Sequence, residues 1–135
     1  MVAIIEELFF RSFILQIMLK YYQKKGVRAD ILVILLNSVM FAFMHIFNLF
    51  LQIETIGYIG VFQSYLIISL LGILLAVSYY LYDNVIVCIY IHMGFNIISS
   101  LAIGNNPVIY ILLYMILLAF IIFWLKIMNV KKIEN

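Results

Sequence analysis

Three short clusters in this chain hold residue types that can do chemistry. Glu6 and Glu7 stand side by side with Arg11 following, Phe41 precedes His45 by four residues, and His92 precedes Asn96 by four. Residues four apart lie on one face of a helix. Glu7 and Arg11 can therefore pair within a helix, whereas Glu6 is rotated by about 100° and cannot share that partner equally. Glu6 is the freer carboxylate. Ser38 lies one heptad before His45 and Asn48 three residues after it, and Ser99 continues the His92–Asn96 face, so two more segments each present a polar stripe.

These are the parts needed to split an amide in a dry place: a carboxylate to activate water, histidines to hold it or to bind a metal, and an Asn amide to meet an oxyanion. Glu6, His45 and His92 are also acceptable ligands for Zn2+ or another divalent ion. They come from three separate segments, however, and lack the His-Glu-x-x-His spacing of a zinc site legible in sequence. Metal-free general-base chemistry ranks slightly ahead, and interhelical hydrogen-bonding glue is the structural use of the same residues.

The elements that must position these groups are membrane helices. Of the 135 residues, 68% are hydrophobic and 10% charged, against roughly 45–50% and 25% in soluble domains. So short a chain cannot hide that much apolar surface in a core of its own. Charge-free runs at 31–53, 55–82 and 84–125 each suffice to cross a bilayer, and Gly104-Asn105-Asn106-Pro107 divides the last. The expected fold is all-α, a polytopic transmembrane bundle of about five spans near 2–22, 30–52, 63–82, 85–103 and 108–128, forming a single domain over 1–135. Lys20, Lys24, Lys25 and Arg28 in the first loop, and Lys126, Lys131 and Lys132 in the tail, should face the cytoplasm, which starts the N-terminus outside. Glu6 and His45 then fall toward the outer leaflet. Only Glu6, Glu7 and Arg11 of the acidic and basic side chains lie well inside a span, joined by His45 and His92, and ionisable groups there are functional by default. The small charge excess suggests no nucleic-acid partner. A lone Cys88 reads as a small buried hydrophobe, and Gly72, Ala76 and Gly94 as sites of close helix approach.

Glu6-Glu7-Leu8-Phe9-Phe10-Arg11 resembles an EExxxR motif, Phe41-Ala42-Phe43-Met44-His45 an FxxxH motif, and His92-Met93-Gly94-Phe95-Asn96 an HxxxN motif. In that order, on separate hydrophobic segments, they resemble the CAAX-protease and bacteriocin-processing (CPBP, or Abi) family of intramembrane endopeptidases. The resemblance implies catalytic roles for Glu6 and His45 in activating water and for His92 and Asn96 in holding the oxyanion, with Glu7 and Arg11 in support. It leaves metal dependence open, with Glu6, His45 and His92 as the metal-binding set. It also implies a multi-pass location, in a bacterial cell membrane if the bacteriocin branch applies. The partners would be the lipid bilayer and a peptide or lipidated (CaaX-type) protein substrate. Because family members carry further hydrophobic segments before the first motif, a domain lacking those N-terminal helices is expected.

An intramembrane endopeptidase is thus the leading function. A non-catalytic immunity or interaction protein of the same ancestry is the alternative, and a proton- or cation-relaying transporter subunit a more distant one.

Overall fold

The computed structural model describes residues 2–22 and 26–102, together with 112–113, 116–117 and 119–120, and its regular elements are helical. The chain starts with α1 (Val2–Glu7), widens into a π-helical stretch (Leu8–Leu15) and resumes as α2 (Gln16–Tyr22) without a break. Then come α3 (Val27–Leu51), α4 (Ile53–Tyr82) and α5 (Val85–Ala102). Many of these residues are β-branched or aromatic, types with modest helix propensity in water. In hydrocarbon the preference is decided otherwise, because every backbone N–H and C=O must find its partner within the segment.

By length and composition, α3 and α4 can each cross a membrane, and the apolar part of α5, Val85–Ser100, is shorter. The greater part of the expected fifth span near 108–128 lies outside the described residues, as do the turn at 104–107, Lys24, Lys25 and the basic tail. The gap expected between the spans near 30–52 and 63–82 is corrected: α3 ends at Leu51, Gln52 makes a single non-helical step (φ −94°, ψ 2°), and α4 begins at Ile53. The step stays satisfied because Gln52 donates to Leu49 O at 3.1 Å while its own carbonyl accepts from Thr55 and Ile56. Within α4 the kink falls at Gly57 (φ 69°, ψ 172°), a conformation that a side chain would oppose.

Two compact units make up the chain, Met1–His92 and Met93–Asn135. In the first, α3 packs along α4 at Gly72, where an added Cβ would lie 3.2 Å from the Phe41 ring and 3.2 Å from Ser38 O. Gly72 is thus a point of close approach, as expected, whereas a Cβ on Gly94 would meet no described atom within 4 Å. Leu15, Val33, Phe41, Ala42, Leu75, Ala76 and Cys88 form the fully covered core of the first unit. Large apolar side chains such as Val39, Phe43, Met44 and Phe47 point outward, the distribution expected when lipid is the solvent. Two short polar devices set the end of α4 and the start of α5. Asp83 takes the left-handed conformation (φ 47°) and donates its N–H to Tyr79 O at 2.8 Å, closing α4. Asn84 then caps α5 by accepting from the Ile86 N–H at 2.9 Å. In the second unit, the described residues include the end of α5, which carries Asn96, and the buried Leu117.

Candidate active site

Glu6 and Glu7 close α1 at the point where the helix widens into its π-helical stretch, a local geometry frequent at functional sites. Adjacent in sequence, they meet opposite environments. The Glu7 side chain is fully buried and that of Glu6 is 25% exposed. Glu7 uses both oxygens: Oε2 accepts from Arg11 Nε at 3.0 Å, and Oε1 lies 2.9 Å from His92 Nδ1. Glu6 has one imidazole nitrogen near each oxygen, His45 Nε2 at 3.7 Å from Oε1 and His92 Nε2 at 3.7 Å from Oε2. Those separations exceed hydrogen-bonding distance.

Each histidine is oriented by its other nitrogen. His45 Nδ1 lies 2.9 Å from Phe41 O, one turn back on α3. A carbonyl only accepts, so Nδ1 carries the proton and the neutral ring presents a lone pair at Nε2. His92, on α5, is 3% exposed, and its Nδ1 donates to the Glu7 carboxylate. Phe41 fills the space between them, with ring centroids 4.7 Å from His45 and 5.6 Å from His92. Phe10 meets the same ring edge-on at 5.3 Å. The Phe of the second motif is therefore a packing surface for both imidazoles.

Behind Glu7 the polar chain continues. Arg11 is fully buried, lies over the Phe41 ring at 4.8 Å, and donates from Nη1 to Asn37 Oδ1. Asn37 in turn donates from Nδ2 to Phe10 O at 3.0 Å. Among the described residues, Arg11 Nη2 is the buried side-chain polar atom without a hydrogen bond; the Phe41 face offsets part of that cost.

All five charged or imidazole groups expected in the first unit, Glu6, Glu7, Arg11, His45 and His92, thus share one cluster. Asn96 lies one turn beyond His92 on α5, exposed and within the second unit. Asn37 is absent from the sequence-based set, although it belongs to the 37–41–45 face at spacing four. The signal for it is an amide inside an uncharged apolar run, next to Ser38, which merely bonds back to Ile34 O at 2.7 Å. No group of three or more His, Cys, Asp or Glu side chains among the described residues is arranged to hold a metal ion. The donors such an ion would need are directed at one another, each histidine at its own oxygen of Glu6.

These features define an apolar helical membrane protein with a carboxylate–imidazole cluster buried among its helices. The family described as type II CAAX prenyl endopeptidase Rce1-like matches residues 1–98, which include the whole cluster and Asn96. The chain belongs to that CAAX protease family. Neither the curated proteins nor the solved structures contain a significant match to it.

Proposed function

We propose that the chain is an intramembrane endopeptidase that hydrolyses peptide bonds of membrane-associated or prenylated, CaaX-type substrates with water activated by Glu6 and His45. The observation that carries this reading is the half-buried Glu6 carboxylate, flanked at 3.7 Å on each oxygen by a histidine whose Nδ1 is already committed. Glu6 Oε1 and the lone pair of His45 Nε2 are both acceptors and cannot bond each other, so a pair 3.7 Å apart is suited to a bridging water that donates to both. Such a water donates one proton toward Glu6 Oε1 and the other toward His45 Nε2, leaving a lone pair for the substrate carbonyl.

As the new C–O bond forms, Glu6 takes the proton of the water. The oxyanion is met by His92, backed at Nδ1 by the Glu7 carboxylate, and the family motif gives the Asn96 amide the same role. Collapse breaks the C–N bond, and the proton held by Glu6 passes to the leaving amine. Glu7 and Arg11 touch no reacting atom in this scheme, and no step is routed through a metal. The chain acts as a multi-pass protein whose partners are the bilayer and the peptide. No observation favours the immunity-protein alternative.

The test is cleavage of a quenched peptide panel, prenylated and unprenylated, by the purified chain with and without chelator. Chelator-insensitive cleavage that falls by on the order of 10² to 10⁴ in Glu6→Gln supports the reading. Cleavage abolished by chelator and restored by Zn2+ would replace it with a metal mechanism.

A further inference from the structure

We propose that Asn37 is a positioning residue for this reaction, one that sets the rotation of the carboxylate-bearing helix against α3; the role rests on the general-base reading above. Asn37 is fully buried, and both ends of its amide are engaged across two elements. Its oxygen accepts from Arg11, which holds Glu7, which holds His92. Its nitrogen donates to the carbonyl of Phe10, inside the π-helical stretch that begins directly after Glu7. Two turns along α3 from Asn37 stands His45. One side chain therefore connects the histidine-bearing helix to both the backbone and the charge pair of the segment that carries Glu6.

Besides Asn37, these elements meet at the Phe41 ring, which Phe10 contacts edge-on and over which the Arg11 guanidinium lies. Apolar contact is non-directional and tolerates sliding, whereas a hydrogen bond has a preferred line. The magnitude of the slip decides whether this matters. Side-chain tips lie about 5 Å from a helix axis, so a rotation of about 20° moves them by roughly 2 Å. A displacement of about 1 Å at reacting groups can cost on the order of 10²-fold in rate. Glu6 has to stay between two imidazoles, and the π-helical stretch beside it departs from the regular i→i+4 hydrogen-bond ladder. The donor that grips Phe10 O supplies a fixed point where the first segment passes α3.

Steady-state kinetics on the full chain with a prenylated quenched peptide tests the role. Asn37→Ala is expected to lower kcat on the order of 10-fold to 100-fold, with KM within twofold because Asn37 meets no substrate, and with helical circular dichroism retained. Asn37→Gln keeps both amide functions on a longer arm and is expected to recover part of the lost kcat. A kcat for Asn37→Ala within twofold of wild type, a rise in KM that accounts for the loss, or no recovery in Asn37→Gln overturns the proposal. Should Asn37→Ala fail to fold, Asn37→Asp decides, since it keeps the acceptor for Arg11 and removes the donor to Phe10. A drop in kcat at unchanged KM then supports the role, and wild-type kcat overturns it. Glu6→Gln separates the two levels: an inactive Glu6→Gln beside a fully active Asn37→Ala overturns the positioning role alone. A fully active Glu6→Gln, or a wild-type chain that cleaves none of the peptides, overturns the general-base reading and the positioning role with it.

Discussion

The two halves of the cluster differ in how far their polar groups are satisfied. On one side Glu7, Arg11 and Asn37 form a dry, fully buried chain in which nearly every donor and acceptor is engaged at bonding distance. On the other, Glu6 and His45 are roughly a quarter exposed, and their facing atoms stand 3.7 Å apart. The first half is built to hold, because an unpaired charge in a medium of low polarity is penalised heavily. The second half keeps its facing atoms oriented yet unbonded, as the proposed reaction requires. Neighbouring carboxylates of the same residue type thus acquire different work from what surrounds them.

Substituting each carboxylate by its amide is the sharpest way to break the comparison. Glu6→Gln should abolish measurable proteolysis, a loss on the order of 10² to 10⁴, while thermal unfolding in detergent stays near wild type. Glu7→Gln should do the reverse first, destabilising the protein by about 3–5 kcal/mol because Arg11 is left buried without its counter-charge. Reversing both members of the Glu7–Arg11 pair should hurt less than reversing either alone, and additive losses would mean that the two residues do not act as a pair.

The histidines should split along the same line. His92→Ala leaves a buried Glu7 oxygen without its donor and should cost about 1–3 kcal/mol of stability, whereas His45→Ala should lose activity at little structural cost. Equal unfolding temperatures for the two variants would erase the distinction between the halves.

Gly72→Ala probes the shared support. Its methyl would crowd the Phe41 ring and the Ser38 backbone, and overpacking of this kind costs about 1–3 kcal/mol. Activity should fall with stability, since Phe41 carries both imidazoles, and full activity at wild-type stability would show that the ring yields freely. The smallest effect is expected at Asn84→Ala, where loss of the α5 cap should cost about 1 kcal/mol and leave KM for the peptide unchanged.

Much of this cluster was legible in the residues. The i,i+4 spacing of Glu7 and Arg11 anticipates their 3.0 Å pair, and the 100° offset of Glu6 anticipates its freedom. Less legible was the helical course past Gln52, because a stretch holding Glu54, Thr55 and two glycines has the composition of a loop, yet it is helical apart from the step at Gln52 and the kink at Gly57. Asn37 escaped for a related reason. Its place on the face of Phe41 and His45 is visible in the spacing, but its two hydrogen-bond partners sit 26 and 27 residues away in sequence.

By itself, the sequence determined what depends on composition and local period: an apolar helical chain, the pairing of Glu7 with Arg11, and the presence of Glu6, His45 and His92 among residues otherwise unsuited to charge. The tertiary structure alone decided which nitrogen of each histidine faces Glu6, that Glu7 is shared between Arg11 and His92, and that Asn37 links α3 to the carboxylate-bearing segment. Local spacing determines which side chains share a helix face, whereas the rotation and separation of one helix against another follow from how distant residues pack. Here that packing is set by a glycine that admits Phe41 and by buried polar groups that must find partners across helices.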